Sequence, residues 1–126
     1  MHKKRNNLIN LYYDIHIVEA LQKLPAPLIT FDGHQVLFDE DKRKETIFEH
    51  IANKKHHLHV VDIKRIPYIL KDKESLSVDH KEKNLRIYIG KRGKQTEKPC
   101  YLKIITHIKK NNNESVITIY PDKKLL

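Results

Sequence analysis

The 126-residue chain lacks the sequence features that mark disulfide-rich, secreted and membrane proteins. It has one cysteine, Cys100, which excludes an intramolecular disulfide and suits a reducing cytoplasm. The apolar stretch LINLYYDIHIVEAL is interrupted by Asp14, His16 and Glu19, which excludes a signal-peptide core and a membrane span. The sequence therefore predicts a soluble, cytoplasmic protein without a membrane partner.

Common catalytic and cofactor motifs are also missing. There is no CxxC, HExxH or GxSxG pattern, and IGKRGK lacks the spacing of a phosphate-binding P-loop. The sequence has no internal repeat and no linker long enough to divide it. We therefore predict a single domain over 1–126, with no metal and no cofactor.

Positive charge is abundant. The chain has 25 Lys and Arg against 16 Asp and Glu, a formal net charge of +9, with an isoelectric point near 9.6. Such an excess attracts polyanions, and nucleic acid is the first candidate. RNA is therefore the predicted partner.

The first half of the chain carries helical periodicity. A helix is predicted over about 7–22, with Asn6 or Asn7 as its cap and with Pro25 and Pro27 beyond its end. A second helix is predicted over about 41–54, capped by Asp39 or Asp41, with Ile47, Phe48 and Ile51 as its apolar stripe. A third, short helix is predicted to begin near Pro67.

Strand signals surround these helices. The pair Asp32–Gly33 predicts a tight turn between two short strands in LITFDGHQVLFD. From Leu76 onward the period becomes two, and SLSVD, NLRIYIGK, PCYLKIITHIKK and ESVITIYP are four further candidate strands. Helices followed by an antiparallel sheet predict an α+β fold, with N-terminal helices packed on one face of a four-stranded antiparallel sheet.

Alternation predicts what each face of that sheet presents. Ile87, Ile104 and Ile117 are assigned to the aliphatic face, which is expected to cover the helices. The opposite, open face is predicted to carry these polar and aromatic side chains: Arg86, Tyr88, Lys103, His107, Thr118 and Tyr120. Cations stabilise phosphate charge and aromatic rings stack bases, so this face is a candidate RNA surface, although an ordinary solvated face is also polar. At the hairpin tip in KRGK, Lys91, Arg92 and Lys94 are candidates for phosphate steering.

Four of the nine histidines lie in one segment, at His50, His56, His57 and His59. Their spacing does not place two imidazoles on one helical turn, which argues against zinc. General acid–base chemistry is the better use of an imidazole here, because its ordinary pKa lies near neutral pH. At least two of the four are expected to be plain surface residues.

The motif FEHI…KHHLHVVDIKRIPYIL, followed by strands ending in VITIYP, resembles the barnase–colicin–RelE-like nuclease superfamily, in its phage and mobile-element branch. The likeness covers about 46–121, within a nuclease-like core of about 40–121 on which the helix at 7–22 would pack. It implies the same α+β fold and metal-independent endoribonuclease activity, in which the ribose 2′-hydroxyl attacks the adjacent phosphate.

By this resemblance His50 and the His56/His57 pair correspond to the histidine motif, and Thr118 and Tyr120 to the last strand's threonine and aromatic residue. Arg86 and Lys103 are candidates for stabilising the phosphorane. A toxin-like role with an acidic inhibitor protein as partner belongs to the same hypothesis. The alternatives are a non-catalytic RNA- or DNA-binding module and a structural protein of a phage or plasmid particle.

Overall fold

A computed structural model describes residues 11–39, 46–94 and 96–124. Its elements, in chain order, are α1 (Ile15–Gln22), β1 (Leu28–Ile29), β2 (Gln35–Leu37), α2 (Ile47–Ile51), α3 (Val60–Ile63), α4 (Ile66–Lys71), β3 (Leu76–His80), β4 (Leu85–Lys91), β5 (Tyr101–Ile108) and β6 (Glu114–Asp122). Short 3₁₀ turns lie at Lys54–His56, Lys73–Ser75, Lys81–Lys83 and Lys110–Asn112. No helix in these three ranges is long and apolar enough to cross a membrane.

The first helix is shorter than predicted. Helix α1 begins after Asp14, whose side chain accepts a hydrogen bond from the His16 N–H at 2.9 Å. The backbone just before α1 is not helical, because Tyr13 forms an isolated antiparallel β-bridge with Asn53. The predicted caps Asn6 and Asn7 lie outside the described residues.

The other helix predictions have mixed outcomes. Thr46 caps α2, and the alternative cap Asp41 lies outside the described residues. Asp39 is not the cap of α2, and its carboxylate contacts Ser115 and Lys109. A helix starting near Pro67 is confirmed, since the proline occupies the first turn of α4.

The sheet has six strands in the order β1-β2-β6-β5-β4-β3, so the predicted four-stranded antiparallel sheet is wrong. The hairpin around Asp32–Gly33 joins it, and β2 pairs in parallel with β6 through Val36 and Glu114, which makes the sheet mixed. The sheet curls into a half-barrel, and α1 packs against α2 and α3 rather than lying on one flat sheet face. Strands β1 and β2 have only two and three residues, too few to show an alternating pattern. Their place in the sheet could therefore not be predicted from the sequence, because it depends on the long-range pairing of β2 with β6.

The predicted faces are also partly wrong. Ile104 is buried as expected, but Ile117 is 38% exposed, and Tyr88 is fully buried in the core. A bulge explains Ile117: Ile105 pairs with Thr118 whereas Thr106 pairs with Val116, so one extra residue of β6 turns outward. The register between β4 and β5 explains the burial of Tyr88. Tyr88 pairs with the buried Ile104, whereas Ile87 pairs with the half-buried Ile105.

The core lies inside the curl of the sheet and beneath the helices. Its fully buried members include Ile17, Ile51, Ile63, Ile66, Leu70, Leu102, Ile104 and Ile119. Apolar side chains from α1, α2, α3, α4, β5 and β6 therefore fix the positions of the loops between them, including the histidine segment.

Candidate functional site

The histidine segment forms one wall of a hollow of about 620 Å³, which we name the histidine hollow. Its lining comes from three parts of the chain: Asn53–His59 with Ala52, Asp14 and Ile17; Arg92 and Glu97–Pro99; and Tyr120 and Pro121 at the end of β6. Helix, hairpin and strand therefore converge on one concave surface.

The wall has a defined backbone shape. The Asn53 side chain accepts a hydrogen bond from the Lys55 N–H at 3.1 Å, which caps the 3₁₀ turn. The backbone N–H of Lys54 donates to the carbonyl oxygen of Tyr12 at 2.9 Å. His57 then adopts a left-handed conformation, with φ of 54°, which ends the turn. Leu58 is buried and anchors the segment, so His57 stays exposed at the hollow.

His56 is the most constrained imidazole of the wall. Its Nδ1 lies 2.9 Å from the carbonyl oxygen of Ile51. Because a carbonyl only accepts hydrogen bonds, Nδ1 must carry the proton, and Nε2 of the neutral ring is left able to take one. The ring lies edge-on to His50, with centroids 5.9 Å apart, and 6.1 Å from the ring of Tyr120. A half-buried imidazole thus has one oriented, basic nitrogen.

Tyr120 connects the hollow to the outer face of the sheet. Lys103 lies opposite it in the ladder, with its ammonium 5.5 Å from the ring centre and 2.5 Å from the carboxylate of Asp122. Burial lowers the pKa of Lys103, but Asp122 and Tyr120 outweigh burial, and the pKa is raised. The charged form of Lys103 is therefore favoured, and it already has a carboxylate partner.

A buried ion pair holds the far wall. Asp62 accepts hydrogen bonds from Arg92 Nε at 3.1 Å, from the His59 N–H at 2.8 Å and from the Gly93 N–H at 3.0 Å. Arg92 also donates to the carbonyl of His57 at 3.0 Å. Burial raises the pKa of Asp62, but these hydrogen bonds outweigh it and hold the pKa below its usual value. The pair therefore fixes the hairpin to the histidine segment.

A second polar group lies inside the sheet, and we name it the inner polar cluster: Asp32, His34, Arg86, Tyr88, Thr106 and Glu114. Arg86 donates to Asp32 at 2.6 Å and to Glu114 at 2.8 Å, and it holds the pKa of Asp32 well below its usual value. Burial raises the pKa of the Tyr88 hydroxyl, which donates to Glu114 at 2.8 Å.

This cluster also contains a potential ligand set for a metal ion. One ligand atom each of Asp32, His34 and Glu114 lies within 4.8 Å of the others. The guanidinium of Arg86 already bonds both carboxylates, so a metal ion there would have to displace it. The arrangement is an ion network with Arg86 as its buried cation, and among the described residues the Nε of Arg86 has no hydrogen-bond partner.

The structure separates the residues predicted for one site. His57 and Tyr120 line the histidine hollow. The ring of His50 lies against that of His56, which lines the hollow, and the ammonium of Lys103 lies 5.5 Å from the ring centre of Tyr120. Thr118 shares the outer face but does not line the hollow. The assignment of Arg86 and Tyr88 to the open face is wrong, because both side chains lie in the inner polar cluster.

The predicted phosphate-steering residues are divided as well. Lys91, Lys94 and His107 are exposed, whereas Arg92 is 1% exposed and faces Asp62 rather than solvent. The sequence alone does not indicate that Asp62, Asp122 and Glu114 are the partners of these basic residues. Nothing local marks them, because each ion pair joins strands or helices that are distant in sequence.

The chain matches no family model, and no curated protein and no solved structure is significantly similar to it.

Proposed function

We propose that this protein binds single-stranded RNA at the histidine hollow and cleaves it without a metal ion, acting in the cytoplasm. The observation that carries the proposal is the orientation of His56, whose Nδ1 faces the Ile51 carbonyl and whose Nε2 is left for proton transfer. The chain is α+β, but its sheet has six strands and is mixed, unlike the four-stranded antiparallel sheet that the resemblance implied, so the proposal rests on the hollow itself.

The lining suits a phosphodiester. Lys55 and Lys98 are exposed at the hollow and supply positive charge, while Tyr120 offers an aromatic ring on which a base can stack. His56 Nε2 would take the proton of the 2′-hydroxyl, which attacks the adjacent phosphorus. His57, exposed at the hollow and protonated beforehand as the imidazolium, would give its proton to the departing 5′-oxygen and become neutral, while His56 becomes the imidazolium. Thr118 and Arg86 have no part in this arrangement.

A non-catalytic RNA-binding role is the second candidate. One observation favours it: Lys103, a buried cation 5.5 Å from the ring centre of Tyr120, is already paired with Asp122 and is poorly placed to stabilise extra charge on a phosphorane. A toxin-like role with an acidic inhibitor protein remains part of the first candidate only.

Cleavage of a fluorescent single-stranded RNA in EDTA tests both candidates. His56→Ala should slow cleavage by roughly 10²–10⁴-fold while RNA binding in a gel shift is largely kept. An RNA with 2′-deoxy sugars should bind without being cut. The matched control is His80→Ala, because His80 is exposed on the edge strand β3.

The outcomes separate the candidates. If wild type binds RNA and leaves it intact, the protein is a binding module. If RNA is neither bound nor cut, or if His56→Ala cuts as fast as wild type and His80→Ala, the histidine hollow is not a nuclease site.

A further inference from the structure

A second hollow, of about 700 Å³, lies between α1 and the pair α3 and α4; we name it the apolar hollow. One wall uses positions 60, 63, 64, 67, 68 and 71, which share one face because helical neighbours recur three and four residues apart. The other wall uses positions of α1 and the turn after it. Two helical faces thus meet without a third element between them in the described part of the chain.

The interior of this hollow is mainly apolar. Its apolar lining includes Ala20, Leu24, Val60, Ile63, Pro67 and Tyr68. Ile63 is buried at its base, whereas Val60 is 38% and Tyr68 66% exposed. Large apolar side chains left open to water around one concavity are typical of ligand sites.

The rim carries positive charge. Lys23, Lys64 and Lys71 line the hollow, and none of these ammonium groups has a carboxylate at salt-bridge distance among residues 11–39, 46–94 and 96–124. The guanidinium of Arg65 lies 5.5 Å from the ring centre of Tyr68 and adds a further cation beside the hollow. Among the residues that the structure describes, Glu19 is the one carboxylate in the lining. An occupant with an anionic group is therefore favoured over a neutral or cationic one.

Size decides between a small molecule and a protein partner. The volume lies within the roughly 300–1,000 Å³ of small-molecule sites. We propose that the apolar hollow binds a small amphipathic anion of the medium-chain carboxylate class, with its chain over Ile63 and Val60 and its head group among Lys23, Lys64 and Lys71.

The test is a titration of the full-length protein with sodium decanoate below its micelle concentration, followed by calorimetry and by amide NMR shifts. Decanoate should bind saturably, with shifts in α1, α3 and α4, and at least about tenfold more tightly than decyltrimethylammonium or decanol. The triple variant K23Q/K64Q/K71Q should bind decanoate about tenfold more weakly, because it loses the ammonium groups that would pair with the carboxylate of decanoate. The matched control K73Q/K81Q/K83Q changes three exposed lysines outside the hollow and should bind like wild type.

A second variant tests the cavity rather than the charge. Ala20→Phe places a ring in the hollow and should abolish saturable binding if circular dichroism shows a folded protein. If it does not fold, the lysine variants alone decide. The proposal is overturned if decanoate does not saturate, if the cationic and neutral probes bind equally well, or if the two triple variants behave alike. An acidic amphipathic helical peptide of 18 residues is a further probe; its binding without decanoate binding would make the hollow a protein-docking groove instead.

Discussion

Asp62 and Arg92 form a two-pronged ion pair in the interior of the protein, with Nε to Oδ1 at 3.1 Å and Nη2 to Oδ2 at 2.9 Å. Neither side chain is more than 2% exposed. The pair joins α3 to the hairpin after β4, and Arg92 reaches on to the carbonyl of His57. The same two residues therefore stabilise the fold and shape the histidine hollow.

Removing one partner of this pair should be strongly destabilising. Asp62→Ala leaves Arg92 charged and buried without its carboxylate, and we expect a loss of about 3–5 kcal/mol in the free energy of unfolding. Urea denaturation measures it, with Glu82→Ala as the control, because Glu82 is exposed and its substitution should change stability by less than about 0.5 kcal/mol. Equal stability of the two variants would contradict the role given to the pair.

The inner polar cluster should show coupling between charges. Arg86→Met leaves the fully buried Glu114 without its cation, and we expect a loss of about 3–5 kcal/mol. The double variant Arg86→Met, Glu114→Gln removes both charges while the amide oxygen can still accept from Tyr88 and Thr106, so it should regain part of that stability. Urea denaturation of Arg86→Met, Glu114→Gln and the double variant measures the coupling. If the two single losses simply add, Arg86 and Glu114 do not depend on each other.

Acid should unfold the protein through its paired aspartates. The pKa values of Asp32, Asp39, Asp62 and Asp122 are all lowered in the folded state. A carboxyl group with a lowered folded pKa contributes stability that is fully present above its unfolded pKa of about 3.9 and is lost as the pH falls through the folded value.

We therefore expect these aspartates to leave the melting temperature unchanged between pH 7 and about 5 and to lower it progressively below about pH 4. Circular dichroism melts across this range measure the effect. Asp32→Asn should be less stable than wild type at neutral pH, and its melting temperature should fall less steeply in acid. A wild-type melting temperature that stays constant down to pH 2 would contradict this prediction.

The tautomer of His56 can be observed directly. At a pH where the ring is neutral, its proton should reside on Nδ1, because the Ile51 carbonyl accepts from that atom. Long-range ¹H–¹⁵N NMR spectra distinguish the two tautomers, and the exposed His80 should show the mixture of a solvated imidazole. A proton found on Nε2 of His56 would remove it as the general base.

The sequence by itself determined part of the local structure. The Asp32–Gly33 turn, the helix starting near Pro67, and the strands at 76–80, 85–91, 101–108 and 114–122 follow from turn chemistry and from the change to a period of two. These signals act over a few residues and need no knowledge of the rest of the chain. The sequence also drew attention to the histidine segment, although it could not distinguish among His50, His56 and His57.

Tertiary structure decided the rest. One extra residue in β6 turned Ile117 outward, and the register of β4 against β5 put Arg86 and Tyr88 inside with Glu114. Periodicity identifies two faces of a strand but not which one is buried, because a polar face can also be buried when distant residues satisfy it. Similarly, His56 is distinguished from the neighbouring histidines by its contact with the carbonyl of Ile51. The burial of Arg92 depends on Asp62, which is 30 residues away in the chain.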